Sequence, residues 1–211
     1  MSDMLAMMKS FFRDAIAYRK EIRKQDEWIR RFAEKKGYAV NPHWMFYTNL
    51  KIWLVESELL FGMRYCPCFE PTGDAEFDRK LICPCAFLKD EVEARGTCHC
   101  TLFGRADLTN EQWKAAEAHL MEEYRGAPLR WDGDVMDTRG MERDPLRNLP
   151  VPDALHQVKR ALQTHRGPSL PVAVATKAEA DHLELLAKSR GMTCTIEQRD
   201  DHWLVTLTRR S

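Results

Sequence analysis

Six of the seven cysteines of this chain lie in one short segment, "CPCFEPTGDAEFDRKLICPCAFLKDEVEARGTCHC". They form three pairs, and a single residue separates the two members of each pair. The pairs are Cys66/Cys68, Cys83/Cys85 and Cys98/Cys100. Pro67 and Pro84 stand inside the first two pairs, and because proline is not tolerated inside a helix, these pairs are predicted to lie on loops. Whatever binds the thiols must therefore draw several loops together.

The spacing within each pair argues against a disulfide between its two members. Such a bond would close a small, strained ring, far from the preferred separations of Cα and Cβ atoms. A proline between the two cysteines makes closure harder still, because its φ angle is fixed. Each pair is therefore expected to direct its two sulfurs to different partners.

Three interpretations of six thiols follow from the residues alone. Structural zinc sites are tetrahedral and favour C-x₂₋₄-C spacing, which these pairs match poorly, and six thiols exceed one site. A [4Fe–4S] cluster also takes four thiolates but tolerates freer spacing, and it leaves two thiols, the number that one redox-active disulfide needs. A disulfide staple without a redox role is the third, although a reducing compartment would not maintain it.

Length, composition and charge limit the classes of protein to which this chain can belong. With 211 residues and 44% apolar residues, the chain can form one large globular domain or two small ones. Its formal net charge is zero, so no global basic field attracts nucleic acid or a membrane surface. It has no apolar run of about 20 residues and no secretory signal at its start. We therefore expect a cytoplasmic protein, in which clustered cysteines more often bind metal or perform redox work.

The first half of the chain is predicted to be helical. Apolar residues recur at spacings of three and four over residues 3–36, with charged residues on the other face. These apolar residues are Leu5, Met8, Phe12 and Ile16. A second helix is predicted over about residues 42–60, and a short helix is predicted to end at Gly96. Thr109 and Gln112 predict a capping box at the start of another helix, which Gly126 ends.

Near "RWDGD" the cysteine pairs have ended and strand-like segments begin. The segments "DVMDTRG", "LPVAVAT", "MTCTIEQ" and "HWLVTLT" are predicted strands, and helices are predicted between the first three of them. This order predicts a small βαβαββ two-layer sandwich over about residues 132–211. The predicted fold class is therefore α+β, with an all-α domain over residues 1–130 and the sandwich over residues 131–211.

The cysteine segment also resembles a known family. The order C-P-C, C-P-C, C-H-C, with "GYAVNP" upstream, "FGMRYCPC" leading in and "CHCTLFG" leading out, is similar to the catalytic chain of ferredoxin:thioredoxin reductase. The resemblance covers about residues 28–105. One departure is Phe69-Glu70 after the first pair, where the family often has arginine, so we expect a different surface towards the target protein.

This resemblance implies a role for each of the six thiols. It implies that a [4Fe–4S] cluster is held by Cys66, Cys83, Cys85 and Cys98. It implies that Cys68 and Cys100 form the active-site disulfide and that His99 is the histidine beside it. In the expected reaction, Cys100 faces the cluster, and Cys68 attacks the target's disulfide to form a mixed disulfide. His99 would exchange a proton with the site and lower the pKa of Cys68.

The expected function is therefore that of a ferredoxin-dependent disulfide reductase acting on thioredoxin or a thioredoxin-like protein. Ferredoxin is the expected electron donor, and neither nucleic acid nor a membrane is an expected partner. One alternative is a reductase of persulfides or disulfides in sulfur trafficking. Another, of a different class, is a non-catalytic iron–sulfur electron-transfer module.

A second resemblance concerns about residues 132–211. "DTRGM" followed by "LPVPDALHQVKRAL" resembles the TusA/SirA-like sulfur-carrier fold, in which C-P-x-P opens a helix. The chain keeps Pro150 and Pro152 but has Leu149 in place of the cysteine. We therefore expect this domain to be unable to carry a persulfide in the usual way. Cys194, in "MTCTI", is predicted to be a buried strand residue without reactivity.

Overall fold

The computed structural model describes the backbone of residues 2–210 and the side chains of residues 8–210. The chain forms two compact units. The first consists of Met1–Cys68 and Glu76–Glu123, and the second of Phe69–Ala75 and Tyr124–Ser211. Among the described residues, no helix combines the length and the apolar character needed to cross a bilayer. The predicted assignment of domains to residues 1–130 and 131–211 stays a prediction.

The first unit is mainly helical. Its helices are α1 Ser2–Ala17, α2 Arg19–Lys36, α3 Trp44–Phe61, α4 Ala75–Leu81, α5 Leu88–Arg95 and α6 Asn110–Met121. Its two strands are β1 Tyr38–Val40 and β2 Phe103–Arg105. The predicted capping box is present at α6, where Thr109 accepts a hydrogen bond from the backbone of Gln112. A π-helical turn, Glu122–Gly126, continues α6 to the predicted stop.

The long helix predicted over residues 3–36 is two helices. The backbone leaves the helical region at Tyr18, with φ −99° and ψ 18°, and both α1 and α2 contact α3. The apolar residues of α1 are not a buried stripe, since Met8, Phe12 and Ile16 are all exposed. The side chain of Leu5 lies outside the described residues. Sequence periodicity detected an amphipathic helix but not the break, because no proline or glycine marks it.

The core of the first unit lies between α2 and α3. Ile29 of α2 packs there with Leu50 and Leu54 of α3, and all three are almost fully buried. At its edge the Lys51 ammonium binds the Asp26 carboxylate at 2.8 Å. A largely buried charge needs such a partner, since an unpaired charge away from water is costly.

A short antiparallel sheet corrects the prediction that this part is entirely helical. Tyr38 of β1 pairs with Arg105 of β2, and Val40 pairs with Phe103. Gly104 is required in β2, because a Cβ atom there would lie 2.7 Å from the ring of Trp113. The sheet joins the end of the cysteine segment to the chain that follows α2, and so it fixes one wall of the candidate site.

The second unit is a five-stranded sheet with two helices. Its elements are β3 Arg130–Asp132, β4 Val135–Asp137, α7 Ala154–Thr164, β5 Ser169–Val174, α8 Lys177–Ser189, β6 Thr193–Gln198 and β7 Trp203–Thr208. The strand order is β3-β4-β5-β7-β6, and β4 and β5 are parallel while the other neighbours are antiparallel. From β4 onward the order is the predicted βαβαββ, and the α+β class is confirmed. The sequence did not predict β3.

The core of the second unit lies between the helices and one face of the sheet. Helices α7 and α8 contact each other and both contact β5, so they cover the same face. Val172, Leu183 and Leu207 are fully buried in this layer. Edge strand β6 is less covered, and Cys194 is half-buried there, not buried as predicted.

The segment after the first cysteine pair belongs to this second unit. The backbone N–H of Glu70 donates to Asp153 at 3.0 Å, and Glu70 Oε2 lies 3.1 Å from His182 Nδ1. Burial, and then the nearby Asp153 carboxylate, raise the pKa of Glu70. Phe69 and Glu70 are both buried. They therefore contribute little to any exposed surface, and the expected difference in the surface towards a target protein stays a prediction.

Candidate functional site

Backbone hydrogen bonds hold the first two cysteine pairs side by side. The N–H of Cys66 donates to the carbonyl of Leu81 at 2.7 Å, and the N–H of Cys83 donates to the carbonyl of Arg64 at 2.7 Å. These bonds flank an antiparallel bridge between Tyr65 and Ile82. Two loops that are distant in sequence are thereby joined at the residues that carry thiols.

The third pair lies on a tight turn after α5. The helix ends, as predicted, at Gly96, whose φ of +88° favours glycine. The N–H of Thr101 then donates to the carbonyl of Cys98 at 2.9 Å. The backbone N–H of Phe103 donates to Cys98 Sγ at 3.3 Å. The turn therefore fixes the Cys98 sulfur against a backbone donor.

Four of the cysteines line one buried pocket together with Cys100 and His99. The four are Cys66, Cys83, Cys85 and Cys98, and Pro84, Leu88 and Phe103 complete the lining. These four are the residues predicted as cluster ligands, whereas Cys68 is not in the lining. All six clustered cysteines are at most 8% exposed, so the thiols are shielded from bulk solvent.

Cys100, in this pocket, lies close to three other thiols. Its Sγ lies 3.6 Å from Cys98 Sγ, and the sulfurs of Cys66, Cys68 and Cys100 all lie within 4.8 Å of one another. Hydrogen bonds with the thiols of Cys66, Cys68 and Cys98, followed by burial, raise the pKa of Cys100. Cys100 is therefore a neighbour both of the first pair and of Cys98.

The donor set fits a metal cluster. Burial, and then the proximity of Cys66 and Cys98, raise the pKa of Cys83, because several thiolates in one apolar space repel each other. A bound cation relieves this repulsion, since it supplies the positive charge that buried thiolates need. The trio within 4.8 Å would suit a single ion. The same pocket offers three further thiols, those of Cys83, Cys85 and Cys98.

His99 is held by charged residues that the sequence analysis missed. Glu91 accepts the backbone N–H of His99 at 2.9 Å and also binds the Arg95 guanidinium at 2.8 Å. The Arg95 guanidinium lies 3.2 Å from His99 Nδ1, and Glu123 Oε2 lies 3.3 Å from His99 Nε2. Arginine can only donate, so Nδ1 of the neutral ring accepts and Nε2 carries the proton.

One signal of this network was present in the sequence. Glu91 and Arg95 are four residues apart on α5, a spacing at which a carboxylate and a guanidinium meet on one helix face. Glu123 lies beyond α6, 24 positions after His99, and no local spacing connects them. The structure also brings His119 Nε2 to 3.5 Å from Glu123 Oε1, so the network extends to an exposed side chain.

The second unit has no thiol at the start of α7. The residue that caps this helix is Asp153, whose side chain accepts the N–H of His156 at 2.9 Å. Leu149 lies four residues before this cap, and its carbonyl accepts the N–H of Asp144 at 2.8 Å. The resemblance of this unit to a sulfur-carrier fold stays a prediction.

Fold and site together define a helical, cysteine-rich unit with a candidate metal centre. The family model described as ferredoxin thioredoxin reductase catalytic beta chain matches residues 16–125, just over half of the chain. The chain therefore belongs to this family, whose members are catalytic chains of a disulfide oxidoreductase and contain an iron–sulfur centre. The match extends beyond residues 28–105 on both sides. No curated protein sequence matches the chain.

Proposed function

We propose that this chain is a ferredoxin-dependent disulfide reductase with thioredoxin or a thioredoxin-like protein as its target. The proposed ligands of its [4Fe–4S] cluster are Cys66, Cys83, Cys85 and Cys98. The proposed redox-active disulfide joins Cys68 and Cys100. The observation that carries the proposal is the position of Cys100, 3.6 Å from Cys98 Sγ and within 4.8 Å of Cys68 Sγ. One sulfur that neighbours both a ligand and the second thiol can connect them chemically.

The two thiols of the proposed disulfide have different surroundings. Cys100 lines the pocket with the four proposed ligands, and Cys68 does not. The bound cluster would supply electrons one at a time, as a disulfide reduced by a one-electron donor requires. Two electrons and two protons convert the Cys68–Cys100 disulfide into two thiols. The Cys68 thiolate then attacks the target's disulfide, and Cys100 resolves the mixed disulfide and releases the target as a dithiol.

His99 is the proposed proton carrier. The Arg95 guanidinium fixes the ring so that Nε2 faces the Glu123 carboxylate. Because His99 lines the same pocket as Cys100, a proton held at the ring is near the sulfur that changes its bonding. Cys68 is 0% exposed, so attack on a target protein requires the loop that carries it to open.

The decisive experiment measures cluster binding and disulfide reduction separately. Cys68→Ser, purified without oxygen, is expected to keep the iron of the native protein, about four per chain, and to lose turnover with reduced ferredoxin and thioredoxin. Cys194→Ser is the matched control and is expected to keep both iron and turnover. Normal turnover by Cys68→Ser would show that the role assigned to this residue is wrong, and a colourless protein containing zinc would overturn the whole proposal.

A trapping experiment tests the choice of target. In Cys100→Ser the resolving thiol is absent, so the mixed disulfide on Cys68 should accumulate. Mass spectrometry of the trapped species is expected to identify a thioredoxin-like protein. A trapped sulfur-carrier protein would support the alternative function in sulfur trafficking. Function that depends on neither Cys68 nor Cys100 would support a non-catalytic electron-transfer module.

A further inference from the structure

Helix α2 carries a basic stripe on its exposed face. The helix has eight lysine and arginine residues against four acidic ones, whereas the whole chain has zero net charge. Lys24, Arg31 and Lys35 stand at positions i, i+7 and i+11, which place them within a narrow arc of a 3.6-residue helix. All three are exposed. We call these three residues the basic stripe.

Two aromatic rings lie beside the basic stripe. Trp28 and Phe32, one turn apart on α2, are half-buried, and their rings stack with centroids 6.0 Å apart and planes 19° apart. The Arg64 guanidinium lies 4.2 Å from the centre of the Trp28 ring and adds a fourth positive charge. The carbonyl of Arg64 is also the acceptor of the Cys83 N–H.

These rings lead from the surface of α2 to the wall of the cysteine pocket. Phe103 lines that pocket, is 1% exposed, and its N–H donates to Cys98 Sγ. The Phe103 ring packs edge-on against Phe32 with centroids 5.1 Å apart, and it lies 6.5 Å from the Trp28 ring. A continuous set of packed rings therefore connects the basic face to the immediate surroundings of the thiols.

We propose that the face of α2 formed by the basic stripe and Trp28 is where an acidic one-electron carrier protein docks. This proposal rests on the proposed function, because it names the entry face for the electrons that function consumes. Each encounter would transfer one electron, oxidising the carrier and reducing the cysteine site, so two encounters serve one disulfide. Electron tunnelling becomes faster as the path shortens and as the packing along it tightens, and the Trp28, Phe32 and Phe103 rings follow one another with centroids 6.0 Å and 5.1 Å apart. The stripe supplies the attraction that steers an acidic partner into this orientation.

Charge reversal of the stripe tests the docking face by binding alone. The triple variant Lys24→Glu, Arg31→Glu, Lys35→Glu is expected to bind an acidic plant-type [2Fe–2S] ferredoxin at least about tenfold more weakly at ~50 mM salt. The difference should shrink at ~0.5 M salt, where charges are screened over a few ångströms. Isothermal titration calorimetry measures both values, and circular dichroism and iron content verify that the variant is folded.

A matched control carries the same change of charge elsewhere. Arg166→Glu, Lys188→Glu, Arg199→Glu reverses three exposed cations of the second unit. It is expected to retain the native affinity. Equal losses in both triple variants, or native affinity in the stripe variant, would overturn the docking face. Specific loss of ferredoxin affinity in a protein that reduces no disulfide would sustain the docking face while rejecting the proposed function.

The aromatic path has a separate test. Trp28→Leu removes the outer ring and is expected to leave the ferredoxin affinity within about twofold, because the stripe is intact. The stopped-flow rate of the first electron transfer should fall at least about tenfold, and Trp28→Phe should restore most of it because a ring remains. An unchanged rate in Trp28→Leu would show that electrons enter by another route and would overturn this half of the proposal.

Discussion

The two compact units differ in where they place reactive groups. In the first, six thiols lie on loops between short helices, and backbone hydrogen bonds such as Cys66 N–H to Leu81 hold the loops together. In the second, a regular five-stranded sheet and two helices enclose an apolar layer, and the single cysteine lies on an edge strand. Loops allow the thiols to converge, whereas the sheet provides a core that does not depend on them.

The thiols of the two units also differ in their neighbours. Cys100 has three other thiols as hydrogen-bonding neighbours, so its raised pKa is a property of a group of sulfurs. Burial, and then the nearby Glu184 carboxylate, raise the pKa of Cys194 to about 11. That thiol is therefore protonated and inert at neutral pH. The groups that surround a thiol, rather than its presence alone, therefore decide whether it can react.

The largest expected effect is the loss of iron when one proposed cluster ligand of the first unit is removed. Cys98→Ala removes a proposed ligand and the acceptor of the Phe103 N–H. Iron is expected to fall from about four to less than one per chain, with loss of the brown colour, because a buried cluster with three thiolates is open to exchange. Colorimetric iron analysis and the visible spectrum measure this. Cys194→Ala should retain all the iron, and full iron content in Cys98→Ala would remove Cys98 from the ligand set.

A smaller effect is expected in the core of the second unit. Leu183 of α8 is fully buried, so Leu183→Ala leaves a cavity and should lower the free energy of unfolding by ~2–5 kcal/mol. The iron content of the folded protein should not change. Urea unfolding followed by circular dichroism gives the first value. Ile16→Ala, at a side chain that is 70% exposed, should change the free energy by less than ~0.5 kcal/mol. Equal losses of unfolding free energy in both variants would contradict the assignment of Leu183 to the core.

The smallest effect concerns the charge pair at the edge of the first core. Burial alone would raise the pKa of Asp26, but hydrogen bonds from Lys51 and Arg30 lower it from 3.8 to about 2. A lowered pKa in the folded state means that the carboxylate stabilises the fold above about pH 4, and that this contribution disappears as the pH falls towards 2. Because the Asp26 side chain is 27% exposed, solvent screening limits the contribution to ~1 kcal/mol.

Asp26→Asn measures that contribution. At pH 7 the variant should unfold with a free energy lower by ~1 kcal/mol, and its difference from the native protein should vanish between pH 4 and pH 2. Urea unfolding over this range gives the difference. Glu27→Gln, at an exposed neighbour on the same helix, should have little effect at any pH. A difference that persists at pH 2 would show that Asp26 acts through packing rather than charge.

Local patterns predicted most elements of the fold. The Thr109–Gln112 capping box, the glycine end of α5 and the alternating strands β6 and β7 each depend on residues within one or two turns of each other. The break at Tyr18 and the pair of strands β1 and β2 were missed. The first lacks a local signal, and the second is created by hydrogen bonds between segments more than 60 residues apart.

The sequence by itself determined the family and the chemistry that six paired thiols allow. Spacing argued against a disulfide within a pair, and the motifs around the pairs are confirmed as those of the ferredoxin thioredoxin reductase catalytic chain. Only the tertiary structure decided which sulfurs meet, that Cys100 lies near both Cys68 and Cys98, and that Glu91, Arg95 and Glu123 surround His99. The physical reason is that such contacts depend on how distant loops pack, and packing is a property of the folded chain rather than of any local stretch.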